Sequence, residues 1–317
     1  MVLFTAILVG WGNRLTCKSL WGKEMQRILT SDTRSDGQGD RAPERRNGGP
    51  SVKVSLIIPT LNEADNLELV LPTIPNIVDE LIIMDGGSTD GTVEVVDKLR
   101  PTARVIVDPR PGKGNALRRG FEAATGDILI MMDADGSMDV LDIATFVAVL
   151  EAGADVAKGS RFLQGGGSAD LTTLRHLGNR ALTRAVRFAF GGRYSDLCYG
   201  YMAFWRHVLP TFEGEVQGFE IETFLNVRAL AAGLRVVEVA SFENQRIFGD
   251  SHLRAFRDGS RVLLTIARER RRLSKARAAQ GVPRPMARPA PVEIVTQNPA
   301  TVTDLFDSPS SQRINEA

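Results

Sequence analysis

Asp133 and Asp135, in the string DADGS, have the spacing that most directly implies chemistry in this chain. They follow the unbroken apolar run ILIMM, and in an extended chain side chains two apart point the same way. Neighbouring carboxylates repel unless a cation lies between them. Mg²⁺ or Mn²⁺, hard ions that take carboxylate, water and phosphate oxygens, suit such a pair. His176, His207 and His252 are scattered and the cysteines are Cys17 and Cys198, so no zinc-type spacing competes. The plain alternative is a solvated acidic turn. What counts against it is that three other polar clusters end apolar runs in the same manner.

These clusters are PTLNEADN, DGGSTDGT and DPRPGKGN. The first offers Asn62, Glu63 and Asn66, with helix capping enough to account for Asn62. The second places Asp85 at a strand end, able to hydrogen-bond a base or ribose, among glycines that let backbone approach a ligand. Turn and cap chemistry would explain that cluster equally well. In the third, Lys113 sits between two glycines at a helix start, where amides and the helix dipole favour a phosphate.

The elements needed to hold these loops are visible as periodicity. Apolar or β-branched runs at 52–59, 80–85, 104–108, 127–133 and 155–159 alternate with helical segments. Leu117, Phe121 and Ala124 form one helical stripe, and Ile143, Val147 and Leu150 another. Such alternation predicts an α/β domain with a mostly parallel central sheet flanked by helices. In an open parallel sheet ligands bind outside the carboxyl ends of the strands, where the four loops converge. GxGxxG after the first strand and the GxxxxGK[ST] phosphate loop are both lacking, which removes the main support for hydride-transfer or P-loop chemistry.

Composition bounds the rest. A hydrophobic content of 43% suffices for a sizeable core in 317 residues. With 39 basic and 38 acidic side chains the net charge is +1, which argues against nucleic acid as the main partner. Two cysteines suit a reducing cytoplasm. Residues 1–51 read as a disordered or mis-annotated leader, 52–272 as the catalytic domain, and 273–317, rich in proline, as a disordered tail. The opening VLFTAILVGW lacks the flanks of a signal peptide. No run reaches the ~18 to 20 apolar residues of a bilayer span.

VSLIIPTLNEADNL, ELIIMDGGSTDGT, GKGNALRRGFEAATGDILIMMDADGS and VAKGSRF resemble, in order and spacing, the motifs of family 2 glycosyltransferases of the GT-A fold. The later strings SDLCYGYMAFWR, GFEIETFLNVRALAAG and RIFGDSHL resemble the dolichol- and polyprenyl-phosphate mannosyl- and glucosyltransferase branch. The resemblance implies a Rossmann-like nucleotide-diphospho-sugar transferase fold. Pro59, Thr60, Glu63 and Asp85 would line the nucleotide pocket, with Asp133 and Asp135 on the metal. Arg161 would stand near the phosphates or acceptor. Ser137 replaces a glutamine common in that branch. Arg246 and Ser251 match a basic loop over the site, where His252 replaces the usual lysine.

The implied reaction is an inverting displacement at the anomeric carbon, with the metal stabilising the departing nucleoside diphosphate. A phosphate acceptor is already ionised, whereas a hydroxyl needs a base, for which Glu220 and Glu222 are the candidates. Arg161, Arg246 and the basic stretch 254–277 favour a polyprenyl phosphate acceptor, since a phosphate nearing an anionic donor needs added positive charge. That stretch reads either as a peripheral contact with the inner face of the membrane, with Phe256, Val262, Leu263, Ile266 and Leu273 as apolar anchors, or as a helix packed on the domain by its apolar stripe with a solvated basic face. Competing readings are transfer to a soluble glycan or small hydroxyl, a sugar-nucleotidylyltransferase, and a nucleotide-binding protein without turnover.

Overall fold

The computed structural model of the chain describes residues 52–249, 255–279 and 293–295. The five expected strands are present as β1 (Val54–Thr60), β2 (Glu80–Asp85), β3 (Arg104–Val107), β4 (Ile128–Met131) and β5 (Val156–Ser160). Between them run α1 (Ala64–Val70), α2 (Thr92–Leu99), α3 (Lys113–Ala123) and α4 (Asp142–Glu151). The second half adds β6 (Gly167–Ser168), α5 (Thr173–Phe190), β7 (Met202–Trp205), α6 (Ile221–Ala232), β8 (Val236–Ala240), β9 (Phe242–Glu243), α7 (Ala255–Ala279) and β10 (Glu293–Val295).

Eight strands form one sheet in the order β10-β8-β5-β7-β4-β1-β2-β3. β7 runs antiparallel to both β4 and β5, while the other pairs are parallel. The sheet is thus mostly parallel and covered by helices, as the alternation implies. Inner strands such as β4 read as continuous apolar runs because both faces are buried. On β4, Ile128 and Ile130 enter the core beneath α1 and α4. Leu129 and Met131 enter the core on the opposite face, with Leu117 and Phe121 of α3 and Phe224 of α6.

Two expectations about the chain's ends need correction. The tail does not lose structure at 273: α7 continues to Ala279, and Glu293–Val295 pairs with β8 as an edge strand. Within α7, Val262 and Ile266 are not outward anchors. They are buried in the core shared with α6, whereas Leu263 and its neighbour Leu264 are the exposed pair. Residues 1–51, Ser251, His252 and the Phe256 side chain lie outside the described ones. No helix among the described residues is long and apolar enough to cross a membrane.

Candidate active site

The carboxyl ends of β1, β2 and β4 carry the polar loops to one edge, where a cavity of about 520 Å³ is lined by Lys113, Asp133, Asp135, Arg161, Glu222 and Arg246, among others. Each aspartate already has a cationic neighbour. Lys113 Nζ lies 2.5 Å from Asp133 Oδ1 and 2.8 Å from Glu222 Oε1. Arg246 Nη2 lies 2.8 Å from Asp135 Oδ2, and the Ser137 N–H donates to Asp135 Oδ1 at 3.0 Å.

Lys113 is held by its flanking glycines rather than by chance. The Gly114 N–H donates to the Gln217 carbonyl at 3.0 Å. A Cβ on Gly112 would come within 2.0 Å of that oxygen, and one on Gly114 within 2.6 Å of the Val216 carbonyl. The GKG turn therefore docks backbone to backbone on the segment that leads into α6. Burial alone would lower the Lys113 ammonium, but Asp133 and Glu222 overcome it and hold the group above the ordinary lysine range.

Of the two glutamates at the start of α6, Glu222 faces the site and is 4% exposed. Burial raises its carboxyl and Lys113 opposes that rise. Glu220 turns away, accepting the Gly218 N–H at 3.2 Å.

Arg246 belongs to a strap following β9. Asn244 N–H donates to the Ser137 carbonyl at 2.7 Å, Ile247 N–H to the Asp135 carbonyl at 3.1 Å, and Phe248 N–H to Asn66 Oδ1 at 2.9 Å. The strap thus bridges the DADGS turn and α1. Asn66 also donates to Glu63 at 2.5 Å. Burial raises the Glu63 carboxyl, with Asp135 and Asp133 adding to the effect. Glu63 is therefore within electrostatic reach of both aspartates.

Arg161 stands at the site as expected and is also bonded within the chain. It lines the cavity, but Nε and Nη2 are bound to Asp196 at 2.7 and 3.0 Å, and Nη1 to Glu243 at 3.1 Å. Asp196 is fully buried. Burial alone would raise its carboxyl, and Arg161 more than offsets that, holding it below the usual range. The guanidinium fork joins β5 to the 193–200 loop and to Glu243.

On the donor side, Thr60 and Asp85 are register partners across β1 and β2. Asp85 is 1% exposed and accepts from Gly87 N–H and Ser88 N–H, both at 2.9 Å, from Ser88 Oγ at 2.5 Å and from Thr60 Oγ1 at 3.1 Å. Its carboxylate organises the turn. Asn62, at φ 56°, accepts Thr89 N–H at 2.9 Å, and Asp90 accepts Ala64 N–H at 3.0 Å, so the first two loops are laced together. Pro59, Thr60, Glu63 and Asp85 lie beside one another but outside the lining of the cavity.

The sequence reading missed Asp196, Glu243, Tyr199 and Phe219. Asp196, Tyr199 and Phe219 fall in the strings SDLCYG and GFEIE, whereas Glu243 lies in no string that stood out. The donor set at Asp133 and Asp135 fits Mg²⁺ or Mn²⁺. Both are hard oxygen ligands on one cavity wall, and the described residues offer no cluster of three or more His, Cys, Asp or Glu, so water and phosphate would complete the shell.

Residues 55–211 match the glycosyl transferase family 2 profile. Glycosyltransferase AglJ of Haloferax volcanii is 33% identical over 221 residues, covering 68% of this chain and 71% of that protein. Polyprenol monophosphomannose synthase of Mycolicibacterium smegmatis is 30% identical over 222 residues, or 64% and 82% of the two chains. The structure of glucosyl-3-phosphoglycerate synthase from Mycobacterium tuberculosis, in complex with Mn²⁺, uridine-diphosphate and glucosyl-3-phosphoglycerate, superposes with a TM-score of 0.54 at 26% identity, covering 73% of this chain and 81% of that one. With ordered motifs, GT-A-type sheet and relatives in agreement, the chain belongs to glycosyl transferase family 2 and is a glycosyltransferase.

Proposed function

We propose that this glycosyltransferase moves a hexose from a nucleotide-diphospho-sugar to the phosphate of a polyprenyl-type lipid, with inversion and with a divalent cation at Asp133 and Asp135. The observation that carries the acceptor is the mixed charged and apolar lining of the cavity. Its lining includes Lys113, Asp133, Asp135 and Arg246 together with Leu171, Leu174, Leu182, Val262 and Leu263 from the α5 and α7 region, which also contributes Asp170, Arg175 and Asp258. An amphipathic acceptor, anionic at one end and hydrocarbon at the other, matches that mixture. The printed name of the polyprenol monophosphomannose synthase relative points the same way.

The mouth of the cavity supports a membrane-facing position. Leu174 and Leu263 line it and are also 54% and 51% exposed. On α5 they continue into Leu177 and Phe188, exposed by 64% and 96%, at spacings that keep them on one helical face. Exposed Arg180, Arg184 and Arg187 flank this stripe, and Arg268, Arg271, Arg272 and Lys275 follow on α7. Basic side chains near an anionic bilayer contribute roughly 1 kcal/mol each, and the leucines and Phe188 would add apolar insertion.

In this reading Pro59, Thr60 and Glu63 hold the nucleoside, and Asp85 shapes the turn beneath it. When bound, the cation supplies charge stabilisation for the departing diphosphate. Arg246 and Lys113 offer positive charge to the anionic groups that meet at the cavity. The acceptor phosphate is ionised and needs no general base. A second reading, transfer to a hydroxyl, rests on Glu222, whose carboxyl is raised by burial at the site.

The test incubates purified protein with a panel of nucleotide sugars, Mn²⁺, and either polyprenyl phosphate or hydroxyl acceptors, with Glu222→Gln alongside. Transfer to polyprenyl phosphate that persists in Glu222→Gln is expected. Transfer only to hydroxyls, lost in that variant, would overturn the acceptor assignment.

A further inference from the structure

The charge pattern at the aspartate pair has a consequence for the order in which ligands enter. Lys113 Nζ spans Asp133 Oδ1 and Glu222 Oε1 at 2.5 and 2.8 Å, a bridging position between carboxylates that a divalent cation would also seek. At Asp135 both oxygens are engaged, Oδ1 by the Ser137 N–H and Oδ2 by Arg246. A bare dication approaching the pair therefore meets aspartates whose charge is already compensated.

The two cations differ in exposure and setting. Arg246 sits on the strap with its side chain 22% exposed. Lys113 has its side chain 11% exposed and starts from a backbone clamped against Val216 and Gln217. Lys113 is thus the less exposed of the two cations, and its backbone docking keeps it beside Asp133.

We infer that Lys113 is a resident counterion that keeps Asp133 from binding a divalent cation by itself, so that the cation is retained only when it arrives with a nucleoside diphosphate. The diphosphate supplies the negative charge that gives the Lys113 ammonium a new partner as Asp133 turns to the metal. Glu222 is the positioning residue of this arrangement, since it holds the ammonium from the side opposite Asp133. The inference rests on the metal reading of Asp133 and Asp135 given above.

Metal binding alone tests it, without turnover. Mn²⁺ is titrated into the wild type, Lys113→Arg, Lys113→Gln and the double variant Lys113→Gln/Glu222→Gln, and free Mn²⁺ is read by electron paramagnetic resonance. The series is repeated with UDP and with GDP, and melting curves confirm folding. The double variant avoids leaving Glu222 buried without a partner. Wild type and Lys113→Arg should bind Mn²⁺ weakly until a nucleoside diphosphate is added. Lys113→Gln should bind Mn²⁺ alone at least about tenfold more tightly, a modest effect for removing a unit charge at contact distance. The double variant should also exceed the wild type. If the folded Gln variants bind Mn²⁺ alone no better than the wild type, the counterion role is overturned and the metal site stands. If no form binds Mn²⁺ even with UDP or GDP, the metal site itself is overturned, and the inference with it.

Discussion

Replacing Arg161 by methionine separates a structural staple from a phosphate ligand. In the structure this guanidinium makes two bonds to Asp196, at 2.7 and 3.0 Å, and two to Glu243, at 3.1 and 3.2 Å. Asp196 is fully buried, and its remaining partners are the backbone N–H groups of Arg161 and Cys198 at 3.3 and 3.2 Å. Removing one partner of such a pair leaves an uncompensated buried charge and costs about 3–5 kcal/mol. At roughly 2–4 °C per kcal/mol for a domain of this size, the melting temperature should fall by about 6–20 °C.

The acid limb supplies a second readout. The Asp196 carboxyl is depressed in the folded protein, because Arg161 outweighs burial. Its stabilising contribution is therefore present above the unfolded value of about 3.9 and is lost as pH falls through the lower folded value. In Arg161→Met only Lys158 and the backbone N–H groups of Arg161 and Cys198 are left to oppose burial, so the group should rise and the variant should lose stability as pH climbs above about 4. The gap between wild type and variant should be widest near neutrality and narrow toward pH ~4, and Asp196→Asn in the same chain should close much of it. Urea denaturation followed by circular dichroism measures all of this. A stability change under about 1 kcal/mol, with no pH dependence but a large loss of activity, would refute the reasoning and return Arg161 to the substrate.

Asp142 on α4 makes the opposite prediction. It is 5% exposed, accepts Ser241 Oγ at 2.5 Å, and burial pushes its carboxyl up to about 6. A raised acid stabilises below its unfolded value of about 3.9 and loses that contribution as pH rises through about 6, so Asp142→Asn should gain up to about 3 kcal/mol over wild type at pH 8 and little at pH 4.5, by urea denaturation. An equal difference at both pH values would contradict this. Leu177→Gln/Phe188→Gln, both at strongly exposed positions, should leave the melting temperature in place and cut flotation with anionic vesicles, since each apolar side chain is worth about 1.5–3 kcal/mol when fully buried. Unchanged flotation would remove α5 from the membrane-facing surface.

Strands β1, β2 and β4 were legible because each is a largely apolar run ending in a polar loop. β7 was not, since MAFW is four residues long and its place between β4 and β5 is fixed by distant partners. Polar residues on inner strands were equally opaque. Lys158 and Glu238 look like solvent-facing breaks in VAKGS and VVEVA, yet they are register partners on β5 and β8 and both are fully buried. At the site, Asp133, Asp135, Lys113 and Glu222 were picked by type and position, and the structure brings them to one cavity. What the sequence concealed was who pairs with whom. The partners of Arg161 were hidden because Asp196 and Glu243 lie 35 and 82 residues away.

The central claim, cation-dependent sugar transfer at the aspartate pair, is tested most directly by nucleoside diphosphate release from the preferred donor across a Mn²⁺ titration, comparing wild type with Asp135→Asn. The wild type should be inactive in EDTA and restored by Mn²⁺ or Mg²⁺. Asp135→Asn should melt close to the wild type and lose at least ~2.7 kcal/mol of transition-state stabilisation, about a hundredfold in rate. Release that survives EDTA, or an Asp135→Asn rate within a few-fold of wild type, would contradict the account.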